Sequence, residues 1–334
     1  MSEIYNANVD LYTDLNGVHE VVVQKGNVGS SYVYALQLLT QGTDAVVYRA
    51  RKGARFKKGA GTERLYLDGY KTNDSTAQTA GGHTQTWEYA GDKAHKNYNG
   101  EWFIGTKSKI DSDTKIAFDT QIARVGFGKH EYRHNTELTR ISNLNQAGNK
   151  FGIAYSGDEL LRSEAAVSPN YRYFLIATVD RDGNGYFSIY NLADINEELN
   201  KVGTGDVNLK TNQYLREKCV SAFKVSDFVG QVGSIQGYDI DNDMNIYISS
   251  EAHPDKNNIV SKPKKIVKMP WNTTDKSQWD FIWLNNNSII NKPGYATELE
   301  GIQVLESNDL YLTVAYHDNK TYTTKYNKIF EVKW

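Results

Sequence analysis

The sequence predicts an all-β protein, a five-bladed β-propeller with about four antiparallel strands per blade, and three observations carry that expectation. Composition is the first. Twenty-three Tyr, 11 Phe and 6 Trp accompany 27 Gly and only 5 Pro in 334 residues, without a long run of Ala, Leu, Glu and Lys, a mixture that favours pleated surfaces over helices. The second is a repeat: five strongly apolar segments, Tyr32–Leu38, Trp102–Thr106, Tyr173–Val179, Ile246–Ser250 and Leu310–Tyr316, start at intervals of roughly 70 residues. Third, these segments are near-continuous apolar runs, the pattern of strands covered on both faces.

In chain order, residues 1–16 read as a polar lead-in, and 17–334 as one propeller with blades near 17–80, 81–160, 161–230, 231–295 and 296–334. Each apolar segment has an upstream partner: Val18–Gln24, Thr84–Tyr89, Glu164–Val167, Ile235–Ile240 and Leu299–Leu305. Further strands are expected at Ala45–Arg49, Leu65–Tyr70, Thr120–Phe127, Tyr186–Leu192, Ile266–Trp271, Phe281–Leu284 and Ile329–Trp334. The one convincing helix is Asp194–Asn200, and the polar stretch Lys129–Ser163 reads as an excursion between blades. Because the chain ends on the β-rich Lys328–Trp334, this strand and the lead-in are expected to share a blade and so hide an open sheet edge.

Lys plus Arg number 38 and Asp plus Glu 40, a formal charge of −2, which gives no general argument for nucleic acid or anionic membrane. The exception is the local basic run Arg49–Lys58, which reads as a solvated hairpin tip or, alternatively, as a polyanion contact. The lone Cys219 excludes an internal disulfide and a Cys-based zinc site, and its apolar neighbours suggest a buried thiol. No ordinary signal peptide and no window of about 18 apolar residues is visible.

Aligned on the apolar strands, the units place polar residues where a propeller's first strand lines the central channel: His83 and Gln85, Glu164, Gln236, and Glu298 with Glu300. The first unit departs, with Val21–Val23 at the aligned position and only His19 and Glu20 close by. A hydrated polar channel is the reading that needs no ligand. The alternatives are a cation such as Ca2+ held by Glu164, Gln236 and Glu300, since oxygen donors suit an ion that takes about 6–8 of them, and a ligand site. Were the protein an enzyme, Glu164 and Glu300 are the pair suited to glycoside hydrolysis. His83 follows two glycines that let the backbone approach something closely, and a histidine metal site there would need His95. The segments Asp180–Gly185 and Asp239–Asn245 imitate calcium loops but lack the acidic twelfth position, with Asn191 and Ser250 instead, so both read as hairpin turns. The many Tyr and Asn suit sugar recognition, in which rings stack and amides bond hydroxyls.

At Val22–Ser30, Gly81–Glu88, Trp102–Gly105, Gln121–Val125, Glu164–Pro169, Ser234–Tyr238 and Leu312–His317, the sequence closely resembles the helveticin J family of large, heat-labile bacteriocins. The blocks run in order from about residue 20 to the C-terminus. The resemblance implies a secreted protein that kills related Gram-positive bacteria, and it carries over no catalytic residues. Together with the sugar-suited composition it sets the expectation of a protein binding a cell-wall glycan or surface polymer, with a wall-glycan hydrolase and a non-killing lectin-like adhesion module as alternatives.

Overall fold

A computed structural model describes residues 1–40, 42–58, 63–69, 78–91, 100–128, 130–252 and 262–334. Its strands form five small sheets, the blades of a five-bladed β-propeller. The chain opens with β1 (Ser2–Ile4) and β2 (Asn8–Asp14). It continues with β3 (Val23–Val28), β4 (Tyr32–Leu39), β5 (Asp44–Arg51) and β6 (Arg64–Leu67). Next come β7 (Trp87–Tyr89), β8 (Glu101–Ile110), β9 (Ala117–Gly126), β10 (His130–Tyr132) and β11 (Thr139–Ser142). The third blade contains β12 (Leu160–Val167), β13 (Tyr173–Asp180) and β14 (Gly185–Asn191), followed by helix α1 (Leu192–Val202), β15 (Asp206–Asn208), α2 (Gln213–Lys218), β16 (Ser221–Val225) and α3 (Phe228–Val232). The last two blades hold β17 (Tyr238–Ile240), β18 (Ile246–Ala252), β19 (Lys262–Met269), β20 (Asp280–Trp283), β21 (Tyr295–Glu306), β22 (Asp309–Asp318) and β23 (Thr324–Lys333).

The five apolar segments are the second strands β4, β8, β13, β18 and β22. Several expectations need correction. β7 and β17 start at Trp87 and Tyr238, three residues later than Thr84 and Ile235, so His83, Gln85 and Gln236 precede their first strands. The first strand of blade one starts at Val23, five residues later than the valine-rich run suggested. Two helices join the expected one. The polar stretch after Lys129, itself outside the described residues, is no excursion between blades: it supplies β10, β11 and the start of β12.

Three sheets carry a fifth strand, added parallel at the outer edge: β10 beside β6, β15 beside β11, and β1 beside β20. Each is short and arrives from another part of the chain, covering backbone groups that would otherwise invite pairing with a second molecule. At the C-terminus β2 pairs antiparallel with β23, Val9 opposite Val332.

Contacts divide the chain into two compact units: residues 1–37, 47–63 and 229–334 form one, and 38–46 with 64–228 the other. The first has a core of Val9, Tyr247, Ile266, Leu299, Leu312 and Phe330, among others. In the second, Phe103 meets Phe174 with ring centroids 4.6 Å apart, and α1 adds Leu192, Ile195 and Leu199. Among the described residues no helix is long and apolar enough to cross a membrane.

Candidate functional site

Several buried polar residues of the blades share a task. A blade's first strand lacks a neighbour on its inner edge, so its N–H groups need other acceptors. Side chains from the adjoining blade provide them. Asn327 Oδ1 accepts from Val23 N at 2.9 Å, Thr313 Oγ1 from Gly26 N at 2.8 Å and Gln303 Oε1 from Val28 N at 2.7 Å. In the same unit Glu251 accepts from Leu299 N and Asp239 from Val304 N, both at 2.7 Å.

Glu164 belongs to this class. It is 2% exposed on β12, and the segment before β7 closes over it. Its carboxylate accepts from Gln85 N at 3.1 and 3.2 Å, from Thr84 Oγ1 at 3.3 Å and from Thr86 Oγ1 at 2.5 Å. Arg162 donates to it from Nε and Nη2 at 3.2 and 3.1 Å, and Nη2 also reaches Gln85 Oε1 at 2.7 Å. The structure thus brings Gln85 and Glu164 together, and Arg162, which the sequence reading missed, stands where a cation beside Glu164 would otherwise balance its charge. The carboxylate's lone pairs are engaged, so binding anything else there means displacing these donors.

His83 is half-buried with its ring edge-on to Phe118, centroids 5.2 Å apart. Burial, aided by the Arg162 charge, lowers its pKa to about 3, so it is neutral at physiological pH. The two preceding glycines do make close approaches: a Cβ on Gly81 would fall 2.3 Å from the Leu67 carbonyl oxygen, and one on Gly82 2.0 Å from Asp119 Oδ1. Asp119 is fully buried, and neither of its carboxylate oxygens has a hydrogen-bond partner among the described residues. Burial and the nearby Glu164 hold its carboxyl well above the usual range, which favours the neutral acid. His95 lies outside the described residues.

In the other unit Gln236 donates from Nε2 to the Glu251 carbonyl at 3.3 Å, Glu298 meets His317 Nε2 at 3.0 Å, and the carbonyl of the buried Glu300 accepts from Ser249 Oγ at 2.5 Å. Two buried residues here were not foreseen. Glu251, 1% exposed with Lys264 Nζ 3.7 Å away, is raised by burial to about 7. Lys25, on the late-starting β3, is fully buried and pulls down Asp239, which burial nevertheless lifts to about 6. Among the described residues, no three His, Cys, Asp or Glu side chains cluster as a metal site.

The calcium-loop imitations are hairpin turns. Asp180 Oδ1 accepts from the N–H groups of Asp182 and Asn184, and Oδ2 from Asn184 Nδ2 and the Tyr186 hydroxyl. Asp241 repeats each bond with Asp243, Asn245 and Tyr247. Cys219 is fully buried, and burial raises its thiol to about 11, marking an inert structural group.

The basic run Arg49–Lys58 divides in two. Arg49 is committed to Glu63, with Nη2 at 2.6 Å, and stacks 4.2 Å over Tyr32. Arg55 and Lys58 are exposed and line a cavity of about 510 Å³ with His19, Glu20, Lys325 and Tyr326. Its frame is rigid for physical reasons. Gly17, at φ +96°, lies so close to the Phe56 carbonyl that a Cβ would fall 2.1 Å from the oxygen. The buried Gln37 clamps His19 at both N and O and also bonds the Val21 carbonyl, which Asn327 Nδ2 bonds from the other side. Among the described residues, Arg55, Lys58 and Lys325 form no ion pair. The cavity therefore presents three exposed cations, of which Lys325 also acts electrostatically on Asp318, and an exposed tyrosine on a hydrogen-bonded backbone.

Residues 3–334 match the profile of a family described as Bacteriocin helveticin-J. The chain is 40% identical to the bacteriocin helveticin-J of Lactobacillus helveticus over 352 aligned positions, covering 100% of this chain and 99% of that protein. Among solved structures it is similar to the tail fibre of Staphylococcus aureus phage P68, with a TM-score of 0.54 at 12% identity over 98% of this chain and 53% of that one. This chain thus spans about half the length of the tail-fibre chain, and the likeness is one of fold.

Proposed function

The chain belongs to the helveticin-J bacteriocin family, and we propose that it is a secreted antibacterial protein that binds the cell envelope of related Gram-positive bacteria through a wall glycan or surface polymer and kills them. The observation that carries this reading is the match to a bacteriocin, which covers 100% of this chain and 99% of that protein. The cavity framed by Gly17 and Phe56 is the proposed recognition site. It offers cations, the exposed Asn16 and the exposed ring of Tyr326, groups of the kind that engage charged and hydroxylated polymers.

The polar residues lining the blades support binding over hydrolysis. A glycosidase needs one carboxyl free to protonate a leaving group and another free to attack or to activate water. Glu164 is saturated by hydrogen bonds from its own fold, and Glu300 is buried. The test is to incubate the protein with a related Gram-positive strain and to measure cell-bound protein and surviving colonies together. Binding accompanied by loss of viability is expected. Binding without killing would favour an adhesion module, and absence of binding would refute the proposal.

A further inference from the structure

Resting on the surface-polymer reading above, we propose that the polymer is anionic, a phosphodiester-linked glycan whose phosphates sit on Arg55, Lys58 and Lys325 while a neighbouring sugar ring packs on Tyr326. Arg55 and Lys58 come from one segment and Lys325 from another, more than 250 residues away, and they meet at one concavity. Clustering like charges costs free energy in the free protein, and that cost is recovered when a polyanion binds. In a neutral-glycan site such a cluster has no use.

The shape favours a chain over a flat surface. A cavity of about 510 Å³ can take one or two monosaccharide-sized units, whereas an anionic lipid face would call for an exposed basic plane. Glu20 at the rim opposes a membrane and can accept from sugar hydroxyls. Tyr326 is 43% exposed, and its ring is held edge-on to Tyr295, centroids 5.4 Å apart, so the stacking face is fixed before the ligand arrives. The clamps on His19 and Val21 by Gln37 and Asn327 do the same for the backbone. Pre-organisation of this kind reduces the ordering cost of binding.

The experiment compares three surfaces: purified walls of a sensitive bacterium, the same walls after hydrofluoric acid has cleaved their phosphodiesters, and phosphatidylglycerol vesicles. Each is offered to the unaltered protein and to the Arg55→Gln/Lys325→Gln double variant, both at exposed positions, with thermal unfolding as the check on folding. Retention on native walls should fall at least about tenfold after acid treatment and by a similar factor in the double variant, and added salt should weaken it. Undiminished retention on acid-treated walls, or by the variant on native walls, overturns the phosphate assignment while leaving surface binding intact. Tight, variant-sensitive binding to the vesicles overturns it in favour of a lipid surface. If the protein ignores native walls altogether, the surface-polymer reading itself fails.

Discussion

The hydroxyl of Tyr247 donates to Asp241 Oδ2 at 2.9 Å, and one blade earlier Tyr186 does the same to Asp180 at 2.8 Å. The two turns are the same device built twice. In each an acid spans the hairpin and ties its backbone to the first tyrosine of the returning strand. Asp241→Ala removes four hydrogen bonds at a nearly buried site and is expected to cost on the order of 2–4 kcal/mol, read as a loss in urea midpoint at constant m. Added calcium should leave the thermal unfolding of the unaltered protein unchanged, because these carboxylates have no lone pairs to spare. A rise of several degrees would place an ion elsewhere, with Gln236 and Glu300 the first residues to examine.

Gly82 tests the close approach to Asp119. With its Cβ position 2.0 Å from a buried carboxylate oxygen and 2.4 Å from Ser108 Cβ, Gly82→Ala forces β9 or β8 to shift. The expected loss is about 2–3 kcal/mol by chemical denaturation. An unchanged midpoint would mean that Asp119 moves aside freely.

Glu251 gives a pH signature. Its carboxyl is held up at about 7 by burial, against an ordinary 4.5. A group raised in the folded state contributes stability that is fully present below its unfolded pKa and is lost as pH rises through the folded one. The loss therefore spans pH 4.5 to 7 and amounts to on the order of 2–3 kcal/mol. Asp239, raised to about 6, acts in the same direction, whereas His83, lowered to about 3, acts in the opposite one. The clean readout is a difference: Glu251→Gln should gain stability relative to the unaltered protein as pH rises from 4.5 to 7. A pH-independent difference would show that the carboxyl is ionised throughout.

Glu164→Gln separates construction from chemistry. It leaves the buried Arg162 with a neutral partner, so a lower melting temperature is expected. Killing per folded molecule should survive, as it should in Glu300→Gln, provided activity is measured below the unfolding transition. Complete loss of killing with wall binding retained would instead support the hydrolase reading.

The blade count was legible because the second strands carry the repeat: covered on both faces, Tyr173–Val179 and Leu310–Tyr316 must be apolar almost throughout. Blade one misled for a physical reason. Val18–Val22 looks like a strand, yet its backbone is held by the amides of Gln37 and Asn327, while the polar-looking Gln24–Asn27 is the strand, buried because side chains from the next blade satisfy it. Glu164 stands out in the sequence as a polar residue expected to line the channel, but its role as acceptor for the segment before β7 depends on the path of Thr84–Thr86. The cavity was legible only in fragments. Arg55 and Lys58 stood out as basic and His19 and Glu20 as out of pattern, but nothing local linked them to Lys325, more than 250 residues away.

The most direct test of envelope binding is co-sedimentation with purified walls of a sensitive strain, scoring protein in the pellet and sugar in the supernatant of the same tube. Protein is expected in the pellet, with no released sugar. Protein left in solution, or sugar released in proportion to time and dose, would contradict it.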